Sequence, residues 1–333
     1  MIPASPFGGA MDLYQSTMDH VLRLPVIQSW PELQVIFTRK ASGRPKNWKL
    51  SLQACEAVGG SVAQAIPAVA AIACAHISII LLDDMLDEDP RGEYHHAGHA
   101  KVANYAAAFQ AAAFEAFCSN EAQPEVRLSG LCSLNRMMLM TALGQHLDIQ
   151  NPPDEIAYWR VVENKSAPFF GAALYLGALV GGASSQTANE LEQFGRRYGE
   201  MIQIHDDLKD AMAKSANPDW LQGRSSLPIL FGQVVDHPER ARFLELCRDI
   251  STPEALSEAQ DILVRCGAVS YCLDQLLRRH RVMQEMLNTI ALVRREILDA
   301  LLEELIAPVY GLFRETGALL PELIIPTEVE NLA

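Results

Sequence analysis

Two stretches of the chain carry no Asp, Glu, Lys or Arg: Ala57 to Leu82 and Ser166 to Ala188. Ala, Leu, Glu, Gln and Met are abundant around them, and the apolar/polar alternation of a half-buried strand is nearly absent. Turn-forming groups fall at Ala41-Ser42-Gly43-Arg44-Pro45, Asp89-Pro90-Arg91-Gly92, Asn151-Pro152-Pro153, Ser215-Ala216-Asn217-Pro218 and His237-Pro238. The segments between them, roughly 15 to 30 residues long, read as helices. No glycine-rich strand-to-helix turn occurs, which argues against a nucleotide-binding fold. The pattern predicts one all-α domain over residues 1–333, with an N-terminal helical segment over 1–40, expected to be mobile, and a C-terminal tail over 321–333.

Length alone would let either uncharged run cross a membrane. Gln64, Pro67, His76 and many Ala, Gly and Ser residues dilute the first run, which leads straight into an aspartate cluster. Helices buried in a large bundle are also apolar all round. No transmembrane span is expected.

Charge narrows the function classes. With 41 acidic and 27 basic residues the formal net charge is −14, which argues against nucleic acid and against an anionic membrane surface. An anionic small substrate stays compatible if metal ions bridge it to the protein. The seven cysteines are scattered without metal-site spacing, so a reduced, cytoplasmic setting is expected. Met1 to Gly9 lacks the basic and apolar regions of a signal peptide.

The candidate chemistry lies in two clusters, Asp83-Asp84-Met85-Leu86-Asp87 and Asp206-Asp207-Leu208-Lys209-Asp210. Asp83 and Asp87 are four apart and share one helix face, with His76 seven residues before Asp83 on the same face. In the second helix Gly199, Gln203, Asp206 and Asp210 form a polar stripe expected to face a cavity. Phe194, Tyr198, Met201, His205 and Leu208 form an apolar one expected to face a core. Carboxylates at the negative end of a helix dipole are disfavoured, and carboxylates four apart repel. Two such clusters call for cations, and Mg²⁺ joins protein carboxylates to substrate phosphates. His95, His96 and His99 read as loop residues rather than a metal site.

In order and type these motifs resemble the trans-isoprenyl diphosphate synthases, the family of farnesyl and geranylgeranyl diphosphate synthases. The resemblance runs from about Gly43 to about Pro228 and includes Gly144-Gln145-His146-Leu147-Asp148, Lys165-Ser166, Gln203-Ile204-His205-Asp206-Asp207 and Gly223-Arg224-Ser225-Ser226-Leu227-Pro228. It implies the isoprenoid synthase fold, a helical bundle around a central cavity, and a homodimer, for which the run Ala106 to Phe117 is a candidate interface. It further implies three Mg²⁺ ions per site, held by Asp83, Asp87 and Asp206 and supported by Asp84, Asp207 and Asp210. These would grip an allylic diphosphate whose leaving group Lys165, Lys214 and Arg224 neutralise. Ser166 and Gln203 would stabilise the allylic cation. Isopentenyl diphosphate would be bound by Arg44, Lys46, His76 and Arg91. Ala75, Ser78 and Ile79 would form the floor under the growing chain. Relatives that make farnesyl chains tend to carry an aromatic residue at the position of Ser78, so a serine implies about twenty carbons or somewhat more.

Three departures from the pattern stand out. Pro90 replaces the first of two arginines, Asn47 and Trp48 stand where Arg and Pro are usual, and the spacing from Asp210 to Gly223 is short. Lys46 or Lys49 is a candidate replacement cation. The weakened acceptor site keeps a class I terpene cyclase or a head-to-head condensing synthase as the alternative. A non-catalytic partner subunit ranks lower because all the aspartates are present. A di-iron protein is disfavoured because Glu-x-x-His pairs are missing.

Overall fold

The computed structural model describes residues 12–250 and 252–316. The chain opens with α1 (Leu13–Leu22), α2 (Pro25–Gln28) and α3 (Pro31–Ser42). A 3-10 turn, Lys46–Trp48, leads into α4 (Lys49–Ala57) and α5 (Val62–Leu86). There follow α6 (Tyr94–Ala97), α7 (His99–Cys118), α8 (Pro124–Ile149), α9 (Glu155–Lys165), α10 (Ala167–Val180) and α11 (Ser185–Ala211). The last third contributes α12 (Pro218–Leu221), α13 (Leu227–Val234), α14 (Arg240–Arg248), α15 (Pro253–Arg265), α16 (Ala268–Thr289) and α17 (Glu296–Thr316). Among the described residues there is no strand, as the helical patterning predicts.

The two uncharged runs become the two central helices. Ser61 starts α5 with a reciprocal capping box, its side chain accepting from the Gln64 amide while Gln64 Oε1 accepts from the Ser61 N–H at 2.9 Å. The helix is then packed by α1, α4, α7 and α10. By length and composition α5 could cross a membrane, but 78% of its most apolar window is buried by protein. That is the behaviour of a core helix. Every residue of α10 is buried, between α4, α5, α8 and α11. Glycine lets α10 and α11 approach closely: a Cβ on Gly195 would lie 2.4 Å from the Phe170 carbonyl. A small satellite cluster, including Trp220, Phe243 and Leu263, fills the space beside α13 to α15.

Two expectations change. Residues 13–42 are not loose: Leu13, Val21, Leu33 and Phe37 are buried in the main core, worth roughly 1.5–3 kcal/mol for each large side chain. Gly199 does not line a cavity but presses on Ala167 and Phe170 of α10. Met1 to Gly9 and the tail at 321–333 lie outside the described residues.

Candidate active site

The first cluster sits where α5 stops. Asp83 and Asp84 are in its last turn and Asp87 caps it. Glu88 adopts a left-handed φ of 52°, and the Asp89 N–H returns to the Asp84 carbonyl at 2.9 Å. This closes the helix end without a glycine. The carbonyl of Asp83 still accepts from the Asp87 N–H at 2.8 Å, so the two carboxylates stay stacked one turn apart. Burial, aided by Asp89 and Asp83 and opposed by Lys40 and Arg91, pushes Asp84 up to about 6. Burial and Asp83 also raise Asp87, against the pull of Lys165 and Arg224.

Lys165 ties three helices to this end. Its Nζ lies 3.1 Å from Asp83, 4.0 Å from Asp87 and 2.6 Å from Asp148. Burial disfavours the ammonium, but Asp83, Asp148 and Asp87 more than offset it, so its pKa is raised. The Gly-Gln-x-x-Asp segment explains the geometry. A Cβ on Gly144 would lie 2.2 Å from the Lys165 backbone nitrogen, so only glycine lets α8 cross α9 here. On the same turn Gln145 donates to Asp83 and Asp148 accepts from Lys165.

The second cluster divides its labour. Asp207 is buried, and both its oxygens are taken. Oδ2 accepts from Tyr158 Oη at 2.8 Å and from the Leu227 N–H at 2.7 Å, and Oδ1 from Gln203 Nε2 at 2.8 Å. Burial pushes it up to about 6 although all three donors pull it down. Asp207 lines the cavity with both oxygens hydrogen-bonded, an arrangement that fixes Tyr158, Gln203 and the start of α13 around it. Asp206, raised by burial and by Asp210, and Asp210 keep their oxygens free of hydrogen-bond donors among the described residues. Ser166 breaks the chain between α9 and α10 and donates to Gln203 Oε1. The Gln203 carbonyl is thus engaged, and the Ser166 oxygen retains lone pairs.

A cavity of about 180 Å³ joins the clusters, lined by Asp87, Asp148, Lys165, Gln203, Asp210 and Arg224 among others. Arg224 enters it from the loop after α12 and pairs with Asp87 at 2.7 Å. Asp219 also lines it. Burial, with Asp207 and Asp210, pushes Asp219 up to about 7. Nothing in the sequence singled out Asp219 or Tyr158. Tyr158 does lie seven residues, two turns, before Lys165 on one face of α9. Among the described residues no three acidic, His or Cys groups converge on one point. Mg²⁺ needs only one or two protein carboxylates when phosphates and water complete its shell, so the all-oxygen donors Asp83, Asp87, Asp206 and Asp210 fit it. Of the three histidines expected in a loop, all lie in α6 and α7, and Tyr94 packs its ring against His95 at 4.1 Å and His99 at 4.6 Å.

The family model described as polyprenyl synthetase matches residues 38–263, about two thirds of the chain. The chain belongs to the polyprenyl synthetase family. As a polyprenyl synthetase it is a prenyl-transferring enzyme. It is 28% identical over 247 residues to the geranylgeranyl diphosphate synthase of Methanosarcina mazei, covering 69% of this chain and 75% of that protein. Its fold matches the geranylgeranyl pyrophosphate synthetase of Pyrococcus horikoshii Ot3 with a TM-score of 0.77 at 21% identity, covering 88% and 94% of the two chains. It also matches the Corynebacterium glutamicum geranylgeranyl pyrophosphate synthase complexed with calcium and isoprenyl diphosphate, with a TM-score of 0.74 at 19% identity over 89% and 94%.

In this polyprenyl synthetase each residue expected to bind the acceptor has a partner within the protein. Arg44 turns to Asp12 at 2.8 Å and stacks over the Tyr14 ring. Lys46 pairs with Glu304 on α17. Arg91 chelates Asp89 at 2.7 Å, within electrostatic reach of Asp84 and Asp210. Lys214 is exposed and makes no ion pair among the described residues. His76 accepts at Nδ1 from the Trp48 indole at 3.1 Å and lies beside Phe169. Burial, with Lys40 nearby, lowers its pKa to about 4. Lys40 thus lies within reach of both His76 and Asp84. It lies in α3, before the loop motif that starts at Gly43, so no motif marks it.

Ala75 and Ser78 are buried below the aspartates, and Ile79 is half-buried against the same core. Phe109 and Phe117 of α7, the helix packed on α5, are fully buried in that core. Gly130 of α8 makes room for Phe117, since a Cβ there would lie 1.9 Å from its ring.

Proposed function

We propose that the protein joins an allylic diphosphate head-to-tail to isopentenyl diphosphate, giving a trans-prenyl diphosphate of about twenty carbons. The observation that carries this is the pairing of two carboxylate clusters with Lys165 and Arg224 around one cavity. Bound Mg²⁺, about three ions per site, supplies Lewis-acid charge that favours departure of diphosphate. Asp83 and Asp87 from α5, with Asp206 and Asp210 from α11, are the carboxylates that would hold it. Lys165 and Arg224 take the leaving diphosphate oxygens. The Ser166 oxygen, its proton given to Gln203, turns a dipole toward the allylic cation. The acceptor double bond attacks that cation, and the C–H proton beside the new bond passes to the released diphosphate, which Lys165 and Arg224 retain. The twenty-carbon length rests on small Ser78 and on the geranylgeranyl name of the Methanosarcina relative. The calcium and isoprenyl diphosphate named for the Corynebacterium structure support the metal and substrate class.

The outer face supports a homodimer. Within the run Ala106 to Phe117, Ala106, Phe109, Ala112 and Phe117 point into the core, so only its outward positions can serve an interface. Outward on α7 lie Ala103, Ala107 and Ala111, and on α8 Leu128, Leu139 and Leu143. Exposed apolar side chains on two helices that pack together suit an association surface, and a second copy of the chain is the proposed occupant.

Diphosphate release tests the activity. Release that needs farnesyl diphosphate, isopentenyl diphosphate and Mg²⁺ together supports it. Release from the allylic substrate alone points to cyclase chemistry instead.

A further inference from the structure

Asn151 ends α8 in a left-handed conformation, φ 56°, its N–H returning to the Asp148 carbonyl at 2.9 Å. Asparagine is tolerated there as a helix stop, and a cap needs nothing of the side chain. Here the side chain is fully used. Nδ2 donates to the Gly223 carbonyl at 2.9 Å, and Oδ1 accepts from the Ser225 N–H at 2.9 Å. The amide therefore grips the backbone on both sides of Arg224. Gly223 itself has a φ of 65°, so the chain between the two anchors is sharply bent.

The grip has a direction. Arg224 between the anchors places Nη1 2.7 Å from Asp87, while its Nε donates to Gln222 Oε1 at 3.0 Å. Three residues before Asn151, Asp148 holds Lys165 at 2.6 Å. One helix end thus carries the anchor of both cations that line the cavity. We propose that Asn151 is a positioning residue, which sets the Arg224 guanidinium against the leaving diphosphate at a fixed spacing from Lys165. This rests on the reading of Arg224 as a diphosphate ligand. A planar side-chain amide suits the task because it offers one donor and one acceptor to backbone groups two residues apart.

Glycine separates the grip from the cap, since Asn151→Gly keeps the left-handed stop and removes the amide. The test is a double-mutant cycle of Asn151→Gly and Arg224→Gln, read by turnover of farnesyl diphosphate and by calorimetric binding of inorganic diphosphate with Mg²⁺. Asn151→Gly should lower kcat/KM and diphosphate affinity about tenfold, and the double variant should be no worse than Arg224→Gln alone. Wild-type behaviour of Asn151→Gly, or full additivity in the cycle, overturns the inference. The two failures are distinguishable. A wild-type protein that makes no elongated product refutes the proposed activity, while the binding cycle still decides the role of Asn151.

Discussion

Tyr158 donates its phenolic proton to Asp207 at 2.8 Å, whereas Asp206 and Asp210 accept no hydrogen bond among the described residues. With the Leu227 N–H and Gln203, it gives each oxygen of Asp207 a donor from within the protein at the cavity wall. Removing one donor from a buried carboxylate costs about 1–3 kcal/mol. Tyr158→Phe should lower the melting temperature and kcat by a few-fold or more. Asp207→Asn should reduce kcat yet keep the Mg²⁺ half-saturation near that of the wild type, whereas Asp206→Asn should raise it about tenfold or more. Equal Mg²⁺ defects in the two asparagine variants would return Asp207 to the metal site.

The acids also fix a pH dependence. Asp84 and Asp207 are pushed up to about 6, and Asp219 to about 7, chiefly by burial. The fold therefore retains protons that the unfolded chain has released, and stability falls as pH rises through the window from the ordinary carboxylate range to about 7. Metal-free protein should melt at a higher temperature near about pH 5 than near about pH 8. Magnesium needs the ionised acids, so its half-saturation should move the other way, tightening as pH rises. Thermal melts with and without Mg²⁺ across this range check both signs.

Chain length should respond at Ser78. It is buried about one and a half turns below Asp83, on the helix that packs against Phe117. Ser78→Phe should shorten the main product, to about fifteen carbons if the ring stops the tail one isoprene unit earlier. Mass analysis of the chains decides it, and an unchanged length would place the floor elsewhere, with Phe117 the next residue to test.

On the acceptor side, the Trp48 indole holds the Nδ1 lone pair of His76. That bond leaves the ring proton on Nε2 and keeps the imidazole a neutral donor. Trp48→Phe should raise the KM for isopentenyl diphosphate several-fold, with the KM for the allylic substrate unchanged. Equal changes in both constants would mean that Trp48 acts through packing alone.

The periodicity of α5 and α11 made the all-α fold and the two carboxylate stripes readable, because each depends on residues three or four apart in one helix. Lys165 was readable too, as part of a short motif. What it does was not, since that follows from the crossing of α8 over α9 that Gly144 permits. Tyr158 and Asn151 act across more than forty residues of sequence, and no local pattern reports such pairs. The partners of the expected acceptor cations were illegible for a related reason. Arg44 and Lys46 fit a loop motif, and their ion-pair partners Asp12 and Glu304 are distant in sequence. The apolar α10 helix is explained by the five helices packed around it, α4, α5, α8, α9 and α11, which its own sequence does not report.

The most direct measurement is the mass of the products formed from geranyl and farnesyl diphosphates with isopentenyl diphosphate and Mg²⁺. The account predicts a prenyl diphosphate of about twenty carbons, formed only when isopentenyl diphosphate is present and abolished by Asp83→Ala. A cyclic hydrocarbon made from the allylic diphosphate alone, with isopentenyl diphosphate left unused, would contradict it.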